Sequence, residues 1–371
     1  MVEETFLINE KKDIERIVNN IFIKDFNKTI GDLGYLDIQE SPNKDIELNI
    51  SFPSHSLYSY QSLVHDIEKK LRIYNSKIKF NININVNVLP MSRYGVIKKK
   101  NVFNIKNIIL VASGKGGVGK SVISSSIAFN LGRAGSKVGL LDADIYGPSV
   151  PTIWNIDPSL EKISGTETNK LLPFEKYNVK LMSIGFFSNK NDAMILRGPM
   201  ITSAINQMVT DVVWGELDYL IVDLPPGTGD IQISLMQKFP ISASIIVTTM
   251  QNIAFADVLR AKNMLEKMNI PIIGCIANMS YFECYSCETK HKIFSTSEGE
   301  NLLKSLNIEI LGFIPLSTSI GHSLDIGKIS NLSENNDLNN KIQSITFTIV
   351  AKIAKEAEKT KSILYNQLPI I

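Results

Sequence analysis

The chain has 371 residues, of which 44% are hydrophobic and 20% charged, so it carries enough apolar surface for a sizeable core and global disorder is excluded. With 39 Lys and Arg against 37 Asp and Glu, the formal net charge is +2 and the pI is near 8.2, without the basic excess of a duplex-binding surface. No nucleic-acid partner is expected. The start, Met1-Val2-Glu3-Glu4, lacks a basic segment followed by an apolar run, and no stretch reaches the roughly 18 apolar residues of a membrane span. These features predict a cytoplasmic protein without membrane contact. All 3 cysteines, Cys275, Cys284 and Cys287, lie in one short region, which does not suit a disulfide framework and fits a reducing compartment.

In chain order, Ile14, Ile17, Val18 and Ile21 fall at helical spacing, and Ile46, Leu48, Ile50 and Phe52 alternate as in a strand. Leu63, Val64, Ile67 and Leu71 return to helical spacing, and Ile78, Phe80, Ile82, Ile84, Val86 and Val88 alternate with Lys and Asn, predicting a half-buried strand. Residues 1–92 are therefore expected to form a small α/β domain. The polar stretch containing Lys98-Lys99-Lys100-Asn101 predicts a linker over 93–104. From 105 to 371 a third rhythm takes over: apolar runs at Ile108–Ala112, Val138–Leu141, Tyr219–Val222, Ser244–Thr248 and Ile272–Ala277 alternate with helical segments. That is the pattern of a mostly parallel sheet flanked by helices. Near the end, Ile342, Ile345, Ile349 and Ile353 predict a helix docked on the sheet rather than on a membrane.

The strand at Ile108–Ala112 leads into Gly114-Lys115-Gly116-Gly117-Val118-Gly119-Lys120-Ser121, and Val122, Ile123, Ile127, Ala128 and Leu131 follow at helix-like spacing. This is the strand–loop–helix context of a phosphate-binding loop. Glycines let successive backbone N–H groups turn inward toward phosphate oxygens, and the helix N-terminus adds its positive dipole. In this reading Lys120 neutralises the β- and γ-phosphates of ATP and the Ser121 hydroxyl binds Mg²⁺. Asp223 closes the run Tyr219–Val222 and is expected at the carboxyl edge of the sheet, beside the loop and on the Mg²⁺ side. Leu224-Pro225-Pro226-Gly227-Thr228-Gly229-Asp230 forms a stiff turn suited to a γ-phosphate switch.

Lys115, directly after the first glycine, is surplus to an ordinary phosphate loop. With it the loop resembles the deviant phosphate loop of dimeric ATPases: MinD-like cell-division proteins, partition ATPases, nitrogenase iron protein and Mrp-type carriers. The resemblance implies that Lys115 reaches nucleotide phosphates across a homodimer, much as an arginine finger does. It also implies that Asp144 orients the attacking water while Asp142 supports the Mg²⁺ site. A solvated loop lysine and solvent-facing strand-end acids are the plain alternatives.

Cys284-Tyr285-Ser286-Cys287 places two thiols at metal-ligand spacing, which is half of a four-ligand site. A symmetric dimer would supply the other half. Zinc held with His291 and a redox dithiol are competing explanations. Together with Asp142-Ala143-Asp144-Ile145-Tyr146-Gly147-Pro148-Ser149, Arg197-Gly198-Pro199-Met200, Asp223–Asp230 and Asn278-Met279-Ser280, the cysteine pair resembles the Mrp (ApbC) family of iron-sulfur cluster carrier ATPases over about Asn107 to Gly327.

That resemblance implies a bridging iron-sulfur cluster, conventionally [4Fe-4S], between Cys284 and Cys287 of two subunits. It further implies apo iron-sulfur proteins as acceptors, assembly scaffolds as donors, and Asn278 and the Pro315 region beside the adenine. Tyr285, Ser295-Thr296-Ser297, Met250 and Ala277 depart from the family pattern without removing a ligand. The N-terminal unit more weakly resembles the small α/β domain that precedes many such ATPases, through Leu33-Gly34-Tyr35-Leu36. It has no cysteine, and its His55 and His65 read as ordinary polar residues. A MinD- or ParA-like positioning ATPase with structural zinc on the cysteine pair is the rival function.

Overall fold

The computed structural model describes residues 2–367 except 24–27, 42–44, 53, 55–59, 92–103, 146, 158–164, 166–169, 188–197, 285, 295 and 334–335. Most of the expected linker, together with His55, Tyr146, Arg197, Tyr285 and Ser295, lies outside the described residues.

The N-terminal part runs α1 (Val2–Asn19), β1 (Phe22–Ile23), β2 (Lys28–Thr29), α2 (Ile30–Leu33), β3 (Tyr35–Glu40), β4 (Ile46–Phe52), α3 (Tyr60–Tyr74) and β5 (Phe80–Val86). Strand β4 lies between antiparallel β3 and parallel β5. The period-two pattern of β4 puts Ile46, Leu48, Ile50 and Phe52 on one face, where they join Ile14, Val18, Ile67 and Leu71 in a separate apolar cluster. Beyond β5, Val88 is buried in the larger cluster of the C-terminal part, with Met91 packed against it. Asn107 fastens this strap: its amide accepts from Met91 N at 3.0 Å and donates to Leu89 O at 3.0 Å.

The larger part continues with β6 (Ile105–Ala112), α4 (Lys120–Arg133), β7 (Val138–Asp142), α5 (Val150–Ile153), β8 (Phe174–Lys176), β9 (Val179–Ser183), α6 (Gly198–Thr210), β10 (Leu217–Asp223) and α7 (Asp230–Lys238). There follow β11 (Ala243–Thr248), α8 (Asn252–Lys267), β12 (Ile272–Ala277), β13 (Phe282–Glu283), β14 (Lys290–His291), α9 (Thr296–Ser305), β15 (Ile310–Phe313), α10 (Thr318–Asp325) and α11 (Asn336–Gln367). Eight strands form one sheet in the order β15-β12-β11-β6-β10-β7-β9-β8. Every neighbouring pair is parallel except the edge pair β8–β9. Strands β7, β10 and β11 are buried along their whole length, as a sheet covered by helices on both faces requires.

The order reverses at β6, which lies between β10 and β11, so a crevice opens at the carboxyl ends of these strands. Helix α11 closes one side: Ile342, Ile345, Ile349 and Ile353 are buried, and the helix packs on α4, β12 and β15. Among the described residues no helix is long and apolar enough to cross a membrane.

Candidate functional site

Gly114–Ser121 wraps from the end of β6 into α4. Gly117 and Gly119 take left-handed backbone at φ 78° and 81°, which glycine adopts without a Cβ clash. At Gly119 a Cβ would also meet the Asn278 amide nitrogen at 2.3 Å, and at Gly114 it would strike the Asp257 backbone at 2.3 Å. The loop encloses a cavity of about 260 Å³ whose wall includes Lys115, Lys120, Ser121, Asp144 and Pro226. Such a nest of backbone N–H groups at a helix N-terminus binds phosphate-like anions.

Strands β6, β7 and β10 deliver charge to this cavity from their carboxyl ends. Lys120 Nζ lies 2.8 Å from Asp223 Oδ1 and 3.8 Å from Asp144 Oδ2. Ser121 Oγ donates to Asp223 Oδ2 at 2.5 Å. Asp223 is fully buried, and its Oδ1 completes no hydrogen bond although the ammonium approaches it as an ion pair. A buried carboxylate beside a hydroxyl is a donor set that suits a hard divalent cation such as Mg²⁺. Among the described residues no three His, Cys, Asp or Glu side chains gather into a metal cage.

Asp142, also fully buried, accepts from Asp144 N at 3.1 Å through Oδ1, and from Val150 N at 3.2 Å and Ser183 Oγ at 3.0 Å through Oδ2. It thereby shapes the loop that presents Asp144. Burial first, and then the charge of Asp223, push the Asp142 carboxyl up to about 7, against the lowering effect of its hydrogen bonds and of Lys120.

The proline-glycine turn after β10 is tied to the phosphate loop through Gly227 N, which donates to Ser113 O at 3.0 Å. Gln232 braces the turn by donating from Nε2 to Pro225 O at 2.9 Å. Lys115 Nζ donates to Gln251 Oε1 at 2.8 Å, just past β11. Asn278 follows β12 and donates from Nδ2 to Val118 O at 2.8 Å, so its amide braces the loop itself. Sequence reasoning missed Gln251, Ser183 and Gln232. Gln251 lies shortly beyond the carboxyl end of β11, where ligands collect in such folds, but a lone Gln has no spacing pattern that singles it out.

Cys284 and Cys287 stand apart from the phosphate cavity, on the short hairpin of β13 and β14. Cys284 N donates to Thr289 O at 3.0 Å and Glu288 N donates to Cys284 O at 2.8 Å, closing the turn between the strands. Cys284 is half-buried and Cys287 exposed. Hydrogen bonds with Thr289, from side chain and backbone, and one with Cys284 hold the Cys287 thiol below its usual value. His291 pairs with Phe282 across the hairpin, and the described residues do not bring it together with the two cysteines as a three-ligand group. Cys275 lies buried in β12, where burial alone pushes its thiol up to about 12.

Residues 104–354 match the family described as ParA: NUBPL iron-transfer P-loop NTPase. An iron-sulfur cluster carrier protein of Helicobacter pylori is 34% identical over 333 residues, covering 90% of this chain and 89% of that protein. One of Aquifex aeolicus is 42% identical over 231 residues, covering 62% of this chain and 63% of its own length. Among solved structures, a nucleotide-binding protein of Archaeoglobus fulgidus in complex with ADP is 33% identical, with a TM-score of 0.54, covering 62% of this chain and 90% of that one. The strand, loop and helix that build the phosphate cavity all fall within the matched segment, and the chain belongs to the ParA/NUBPL iron-transfer P-loop NTPase family.

Proposed function

We propose that this chain is an ATP-hydrolysing carrier that holds an iron-sulfur cluster, its cargo, between Cys284 and Cys287 of two copies and passes it to apo-proteins. The observation that carries the reading is the pair of accessible thiols on one hairpin, two ligands short of a cluster site, on a chain whose phosphate loop bears the extra Lys115. A twofold axis beside the hairpin completes four thiolates. The carrier relatives of Helicobacter pylori and Aquifex aeolicus support the cargo.

At the nucleotide, Lys120 exchanges its ion pair with Asp223 for the β- and γ-phosphates, and Ser121 and Asp223 then face Mg²⁺. Bound there, the ion would offset the negative charge of the phosphate oxygens. Asp144 orients the attacking water, Asp142 fixes Asp144, and Lys115 of the second copy meets the transferring phosphoryl group. Asn278 and the Pro315 region border the base. Residues 1–92 serve as an orienting unit without thiolates, 93–104 as its linker and 105–371 as the ATPase unit. Scaffold proteins load the cluster in the cytoplasm.

Anaerobic reconstitution of the wild type and of Cys284→Ala/Cys287→Ala, followed by iron, sulfide and zinc analysis and transfer to an apo-acceptor, tests the site. The wild type is expected to hold iron and sulfide, with up to four irons per dimer, and the double variant none. Iron and sulfide retained by the variant would overturn the assignment, and zinc alone in the wild type would favour a structural metal.

A further inference from the structure

The phosphate loop and the cysteine hairpin are joined by a very short piece of chain. Asn278 touches the loop, and Cys284 follows six residues later. The contact at the loop end has little slack. Asn278 Nδ2 is 2.8 Å from Val118 O, and it fills the space where a Cβ on Gly119 would lie. The Met279 Cε reaches 3.5 Å from that same position. Asn278 is itself fixed by its backbone, whose N–H donates to Thr248 O at 2.8 Å.

The chain then turns through Met279, which adopts φ 51°, a left-handed conformation that side chains rarely take. Ser280 locks the far side of this joint: its N–H donates to Ile314 O at 3.0 Å and its hydroxyl to Ala277 O at 2.6 Å. Tyr281 O accepts from Leu316 N at 2.7 Å, and the Tyr281 ring lies under the ammonium groups of Lys290, on the hairpin, and Lys341, on α11, at 5.6 and 5.9 Å. The hairpin therefore continues from a segment held by hydrogen bonds at Asn278, Ser280 and Tyr281, whose other end touches the backbone of the phosphate loop.

We propose that Asn278 and Met279 form a relay through which nucleotide occupancy of the phosphate loop changes the accessibility of Cys284 and Cys287. The proposal rests on the nucleotide site and thiol pair of the function proposed above. Phosphate oxygens draw the N–H groups of Val118 and Gly119 inward, the Val118 carbonyl moves with its peptide plane, and the close contact passes that motion to Asn278. The left-handed turn at Met279 converts it into a swing of the segment that carries Cys284. Asn278 and Met279 act as positioning residues for the thiols.

The test uses the reduced, full-length, cluster-free chain. Iodoacetamide alkylation of Cys284 and Cys287 is followed by mass spectrometry with and without saturating Mg·ADP, with buried Cys275 as the internal control. Binding of Mg·ADP is measured separately by equilibrium dialysis. In the wild type, nucleotide should change the alkylation rate by about fivefold or more, the lower end of ordinary allosteric coupling. Glycine accepts the backbone of Met279 without strain but gives a loose joint. Met279→Gly should therefore bind Mg·ADP within about threefold of wild type, while its alkylation ratio falls to about one. Asn278→Ala, compared at saturation, should lose the ratio as well.

A wild type that binds Mg·ADP with unchanged alkylation overturns the relay, as does a Met279→Gly variant that keeps the wild-type ratio. A wild type that binds no Mg·ADP overturns the nucleotide reading beneath it. Because the assay contains no iron, failure of cluster reconstitution leaves its result standing.

Discussion

Asp142 is a fully buried carboxyl next to a second one, Asp223, with Lys120 reaching the second at 2.8 Å. Its affinity for a proton is raised to about 7 because burial and the Asp223 charge both oppose its ionisation. A carboxyl raised in this way favours folding most below its unfolded value, and that contribution fades as pH climbs through the folded value. Between about pH 4 and 7, then, the ligand-free wild type should lose thermal stability relative to Asp142→Asn, which cannot ionise. The variant also carries a constant penalty, since an amide offers one acceptor oxygen where Asp142 uses both. The readout is the difference in Tm between the two proteins across that pH range. A difference that does not vary with pH would remove Asp142 as the titrating group.

A second residue-scale outcome concerns Gly119. Gly119→Ala must hold φ near 81° and displace the Asn278 amide, so the variant should lose Mg·ATP binding by at least about tenfold, a cost of about 1.4 kcal/mol. Calorimetric titration checks it. The phosphate loop could be read from the sequence because its chemistry is contiguous, with eight successive residues making one backbone nest. Ser183 and Gln251 could not be read in the same way. They reach Asp142 and Lys115 from segments 41 and 136 residues away, and a lone Ser or Gln carries no spacing signal.

At the scale of elements, the half-buried β4 and β5 are legible by their alternation, and in the large sheet the legible strands are those of its centre. Strands β6, β7, β10, β11 and β12 read as apolar runs because helices cover both sides of the sheet centre. Strands β8, β9 and β15 lie at or beside the sheet edges and are short or interrupted, with Glu175 exposed on β8 and Gly312 on β15 lying against Ile345. The small hairpin of β13 and β14 has two residues per strand, too few for any periodicity. Helix α11 was legible because its isoleucines recur at helical spacing, and its packing on α4 makes it a support for the helix that begins at Lys120. Truncating Ile349, which is fully buried, should cost about 2–5 kcal/mol through lost burial and a residual cavity. Urea unfolding of Ile349→Ala gives the value directly. A loss under about 0.5 kcal/mol, typical of surface positions, would mean that α11 does not dock as described.

For the whole molecule, the decisive question is whether Lys115 acts within its own subunit or across a dimer. In the single chain its ammonium donates to Gln251 Oε1, while Lys120 is paired with Asp223. Two lysines of one loop thus have separate partners within the chain. Lys120→Ala should abolish hydrolysis because the phosphates lose their cation. Lys115→Ala should bind nucleotide but hydrolyse it about 10³-fold or more slowly, the range over which a charge supplied in trans acts. Mixing separates the two geometries. In a mixed dimer the Lys115→Ala subunit keeps an intact Lys120 and receives Lys115 from the Lys120→Ala subunit, which regenerates one competent site. Equal amounts that exchange freely give half mixed dimers, hence about a quarter of the wild-type sites. Turnover rising from near zero toward that level on mixing two inactive proteins requires exchange of Lys115 between subunits. A mixture as inactive as its components, with subunit exchange demonstrated by differential labelling, would place Lys115 in its own site and remove the main support for a cluster bridging two chains.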